Sequence, residues 1–149
     1  MCSSDLNTLL KIKNKTINVN MNSLEMDLYY YNLNTISVVK WCESKILTVK
    51  NFNDLSLECQ QIRFSVWEKI KNGGWHMSYF GDCDFIKNKI INFAHQEYNN
   101  HIFVNTEFIQ NKVSKNEYLY DDKELKQINI DDNPYLPHKY EIYLTNFYN

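Results

Sequence analysis

The sequence predicts an α/β fold, a mixed sheet with flanking helices. Three observations carry this. Leu24 to Tyr31, LEMDLYYY, alternates with the period of a strand. Ile86, Ile90 and Phe93 recur at helical spacing behind Asp82, a residue that can cap a helix. Strand-like and helix-like stretches also alternate along the chain instead of segregating.

Taken in order, Ser4 or Asp5 is positioned to cap a helix through Leu6, Leu9, Leu10 and Ile12. A short strand is expected over Thr16 to Asn20. In the alternating strand, Leu24, Met26, Leu28 and Tyr30 face one way; Glu25, Asp27, Tyr29 and Tyr31 face the other. Ile36 to Cys42 and Ile46 to Val49 read as a hairpin turning near Glu43-Ser44. A helical region is expected from Asn53 or Asp54 through Leu57, Ile62, Val66 and Ile70.

The stretch from Asn72 to Tyr98 organises the rest. It holds all 3 glycines and two of the 4 histidines. Gly73-Gly74 reads as a break. Trp75 to Phe80 reads as an aromatic strand end, and Gly81-Asp82 opens a helix running to about His95. Asn105 or Thr106 starts another helix. Asn116 to Gln127 reads as a polar surface loop. Pro134 and Pro137 precede a last helix from His138 to Phe147.

A length of 149 residues suits one domain with a core, residues 1–149. A formal charge of −2 and a single arginine, Arg63, argue against nucleic-acid binding. No signal peptide or membrane span is legible, which makes a cytoplasmic location the default expectation. Cys2, Cys42, Cys59 and Cys83 lack zinc spacing and are read as reduced and mostly buried.

Several residues could carry chemistry. Glu25 and Asp27 could bind a divalent cation or simply form a solvated face. His76 is a metal or phosphate ligand or a satisfied buried ring. His95 and Glu97 are an acid–base pair or helix C-terminal residues meeting the dipole. Arg63 pairs with a substrate phosphate or a structural carboxylate.

Two segments carry a resemblance: GGWHMSYFG at Gly73 to Gly81 and IKNKIINFAHQEYN at Ile86 to Asn99. They resemble glycosyltransferase family 17, whose members include β-1,4-mannosyl-glycoprotein β-1,4-N-acetylglucosaminyltransferases. DLNTLLKIK from Asp5, LEMDLYYYNLN from Leu24, Trp41, Arg63 and Leu136-Pro137 fall in the family's order.

The resemblance implies the C-terminal, acceptor-side portion of a GT-A-type fold. It implies transfer of a sugar, N-acetylglucosamine by analogy, from a nucleotide-diphosphate donor to a glycan acceptor. A divalent cation, usually manganese, would offset the diphosphate charge. Trp75, His76, Ser78, Tyr79 and Arg63 are then expected to bind substrate, with His76 as metal contact. Glu97 is the candidate base, with His95 beside it, and His76 is expected to approach both. The family's acidic metal motif lies upstream. Ser4-Asp5 is at most its remnant, because Leu6-Asn7 supply no second acid. The cation site is therefore expected to be incomplete, the nucleotide-binding half missing, and the chain prone to self-association or to pairing with that half. The alternative is a non-catalytic carbohydrate-binding or interaction module derived from such an enzyme.

Overall fold

The computed structural model describes residues 2–15, 20–93, 95–121 and 123–148. The strand expected over Thr16 to Asn20 falls mostly outside them. The fold is mixed α/β, and it divides into two compact units, Met1–Leu28 with Val39–His76 and Tyr29–Val38 with Met77–Asn149. Two strands, β2 (Met21–Tyr30) and β5 (Glu68–Ser78), contribute residues to both. Among the described residues, no helix is long and apolar enough to cross a membrane.

In the first unit, β1 (Cys2–Ser4) lies antiparallel on β5, with Ser3 opposite Trp75. On its other side β5 neighbours β2, and β4 (Trp41–Leu47) pairs antiparallel with β2. The expected hairpin does not form, because Glu43 and Ser44 lie inside β4, where Ser44 pairs with Leu24 of β2. The expected single helix is two short ones, α2 (Val49–Leu55) and α3 (Cys59–Phe64). Thr48 caps the first, and a Glu58–Gln61 capping box starts the second. Ile70 belongs to β5, where it joins Leu24 and Met26 in a core flanked by Ile12, Trp41 and Ile46.

Gly73-Gly74 is not a break but the middle of β5. A Cβ on Gly73 would lie 2.6 Å from the Leu24 Cβ. Gly74 has φ +136°, and a Cβ there would lie 2.1 Å from the Ser3 carbonyl oxygen. Both glycines let neighbouring strands approach.

Helix α1 (Leu6–Lys13) starts at Asp5, as expected, but its faces are inverted. The Asp5 amide donates to the Gly73 carbonyl (3.1 Å), and the Thr8 hydroxyl donates to the Asn72 carbonyl (2.7 Å). These polar ties turn Thr8 inward and leave Leu6, Leu9 and Leu10 exposed. Among the described cysteines, Cys59 is exposed and Cys42 and Cys83 are half-buried, not mostly buried as expected.

In the second unit, β3 (Thr35–Ser37) pairs with the end of β2 and with β6 (Leu125–Gln127), both antiparallel. Helix α4 (Cys83–Asn92) starts where Asp82 accepts the Phe85 amide (2.8 Å). It packs on α5 (Thr106–Ser114), capped by Asn105 as expected. Ile86 and Ile90 are buried with Ile109, Leu119 and Leu33. Phe93 is not core: α4 ends before it, and its side chain is 48% exposed. The segment from Asn116 is not a plain surface loop, since it buries Leu119 and forms β6. The last helix is only α6 (Tyr140–Tyr143), followed by a 3₁₀ turn, Thr145–Phe147.

Candidate functional site

The second unit assembles a site just past α4. With the helix ended, its last carbonyls need donors. Gln96 Nε2 donates to the Ile91 carbonyl (3.1 Å) and to that of Phe93, and Asn99 Nδ2 donates to Gln96 Oε1 (3.0 Å). This clamp holds a 3₁₀ turn, Gln96–Tyr98, with His95 at its start. His95 Nδ1 lies 2.8 Å from Glu97 Oε1, and the two side chains are 55% and 59% exposed. A hydrogen bond from its own backbone amide, then one from His95, holds the Glu97 carboxyl below the usual carboxylate range. An ionised carboxylate only accepts, so in the neutral ring this hydrogen bond puts the proton on His95 Nδ1 and leaves Nε2 as an acceptor.

Aromatic rings surround the pair. The His95 ring centroid is 5.9 Å from Phe93 and 6.2 Å from Tyr98. Tyr98 stacks on Tyr120 at 3.8 Å, and the Tyr120 and Tyr79 hydroxyls are hydrogen-bonded. Tyr79, at the end of β5, is thereby joined to the His95–Glu97 pair through Tyr120 and Tyr98. The Lys89 ammonium stands 4.3 Å from the Tyr79 ring centroid and 5.7 Å from that of Phe93.

Tyr79 (φ 59°) and Tyr31 (φ 67°) both occupy the left-handed region, which costs a bulky residue energy. The Tyr31 amide donates to the Ser78 carbonyl (2.9 Å), tying these two strand ends together. Ser78 itself is buried. Burial, reinforced by neighbouring phenols, pushes the Tyr30, Tyr31 and Tyr79 hydroxyls well above the ordinary tyrosine range.

The remaining sequence candidates lie in the first unit. Trp75 is buried and His76 half-buried. The His76 ring stacks on Trp41 at 4.0 Å. Arg63 Nε donates to Glu43 Oε2 (2.7 Å), and its guanidinium is 5.7 Å from the Trp41 ring centroid. Asp27 is buried and paired with Lys40, and Glu25 faces Lys69 at 3.7 Å. Among the described residues, no three His, Cys, Asp or Glu side chains gather into a group that could hold a metal ion. The two neighbouring carboxylates that could offer oxygen to a cation, Glu25 and Asp27, are each engaged by a lysine.

Thus Tyr79, His95 and Glu97 belong to one connected cluster in the second unit, while Trp75, His76 and Arg63 belong to the first. Sequence reasoning missed Gln96, Tyr120 and Lys89. Lys89 and Phe93 stand four residues apart, which was a usable signal for contact on a helix. Tyr118 and Tyr120 flank buried Leu119 with period two, a pattern hidden by the polar residues around them. Nothing in the sequence marks Gln96 as a clamp. Compared with known proteins, the chain matches no family model, no curated protein and no solved structure.

Proposed function

We propose that this chain is a glycosyltransferase-like protein of the family 17 type, the acceptor-side portion of a GT-A-type fold. In this reading it transfers a sugar, N-acetylglucosamine by resemblance, from a nucleotide-diphosphate donor to a glycan. The observation that supports it is the exposed His95–Glu97 pair set among partly exposed aromatic rings. Residue chemistry alone makes Glu97 the candidate base. The geometry favours the reverse assignment, with Glu97 holding the imidazole and His95 Nε2 accepting the proton.

The acceptor hydroxyl oxygen forms the new bond to the anomeric carbon as the bond from that carbon to the diphosphate oxygen breaks. The hydroxyl proton passes to His95 Nε2, and the bonding electron pair leaves with the diphosphate. Glu97 then stabilises the imidazolium.

A second reading, a carbohydrate-binding module without catalysis, is favoured by the lysine pairing of Asp27 and Glu25. One assay separates the two. The chain is incubated with uridine-diphosphate N-acetylglucosamine and a β-mannosyl glycan, with and without manganese, and product is followed by mass spectrometry. Transfer that His95→Ala lowers by roughly 10²–10⁴-fold supports the enzyme. Glycan binding without transfer supports the module.

A further inference from the structure

We propose that the Phe93 ring is a stacking platform for a pyranose ring, held beside the His95–Glu97 pair by the Gln96 clamp. That this sugar is the acceptor rests on the transferase reading above.

The ring stands where helical periodicity calls for core, yet the residue is 48% exposed. Leaving an aromatic ring wet forgoes burial energy. Its position is nevertheless defined. The Lys89 ammonium, one turn earlier on α4, lies 5.7 Å from the ring centroid, and the His95 ring lies 5.9 Å away. The Phe93 carbonyl accepts from Gln96 Nε2, and the same amide holds the Ile91 carbonyl (3.1 Å). Gln96 therefore anchors the platform on one side and carries the His95–Glu97 pair around it.

The arrangement offers a partly exposed apolar ring with the imidazole of the acid–base pair 5.9 Å away, centroid to centroid. A pyranose presents the complementary surface. Its axial C–H bonds form a weakly electropositive apolar face that suits the negative face of an aromatic ring. Its equatorial hydroxyls project sideways, where an imidazole nitrogen and a carboxylate can accept from them. A purely apolar ligand would use the ring and leave the pair without a partner. A purely ionic one would use the pair and ignore the ring.

The test is saturation-transfer NMR and titration of the full chain with methyl β-mannopyranoside, with each variant checked for unchanged thermal unfolding. Phe93→Ala should weaken binding about tenfold, roughly 1.4 kcal/mol. Phe93→Trp should stay within about threefold of the starting protein, because a ring is retained. Phe85→Ala, an exposed ring in the first turn of the same helix, should bind unchanged. Gln96→Met, which keeps length but loses the donors, should weaken binding at unchanged unfolding temperature. The proposal is overturned if the starting protein shows no saturation transfer. It is equally overturned if Phe93→Ala binds normally, or if Phe85→Ala weakens binding as much as Phe93→Ala does. Phe93-dependent sugar binding with no transfer from a nucleotide sugar upholds the platform and removes the transferase reading.

Discussion

At the scale of single residues, the site is governed by which side chains can hold or lose a proton. The Glu97 carboxyl titrates below its ordinary value of 4.5, so its pairing with His95 is complete above that value and lost as pH falls through the lowered one. An NMR titration of the Glu97 side chain should show a depressed midpoint, and Gln96→Ala, by loosening the clamp, should raise it. An unshifted Glu97 in the parent chain would contradict the pairing. The buried tyrosines behave oppositely. Tyr30, Tyr31 and Tyr79 keep their protons in the folded chain, whereas the unfolded chain loses them near pH 10.0. Their contribution is thus fully present below pH 10.0 and lost as pH rises toward their raised values. An ultraviolet titration should therefore show these phenols ionising only together with alkaline unfolding. Smooth reversible titration of all 11 tyrosines in the folded state would contradict this.

At the scale of elements, α4 is held by two isoleucines and released at its end. Ile90 is 2% exposed, so Ile90→Ala should cost about 2–5 kcal/mol in chemical denaturation. Phe93→Ala should cost far less, because little of its burial is lost. Equal costs would mean that α4 continues and buries Phe93. Helix α1 raises the opposite question. Its exposed Leu6, Leu9 and Leu10 form an apolar stripe. Light scattering is expected to show self-association that Leu6→Glu with Leu10→Glu removes at unchanged unfolding temperature. A monomer at high concentration would contradict it. The caps of α1, α4 and α5 were legible, because a short acceptor side chain before a helix has a local signature. The inversion of α1 was not. It follows from hydrogen bonds to Asn72 and Gly73, partners far away in sequence. The false hairpin has the same origin: β4 follows its partner strand β2, and local turn residues carry no trace of that register.

At the scale of the whole molecule, the mixed α/β class followed from alternation of elements, which survives errors in individual boundaries. The candidate site was legible only in part. Tyr79, His95 and Glu97 stood out as chemistry-bearing residue types, and they do fall in one cluster. Their connection through Tyr98 and Tyr120 depends on a tertiary contact between segments about 20 residues apart, which periodicity does not reach. The Gln96 clamp was hidden because a glutamine after a helix has no distinctive spacing.

In the proposed reaction Glu97 acts through His95 as one proton-accepting unit. Its most direct test is a kinetic cycle of His95→Ala, Glu97→Gln and the double variant in the N-acetylglucosamine transfer assay. The double variant should lose no more kcat/KM than His95→Ala alone, since an orienting carboxylate has nothing left to orient. Losses that multiply, or a His95→Ala variant with the parent rate, would contradict it.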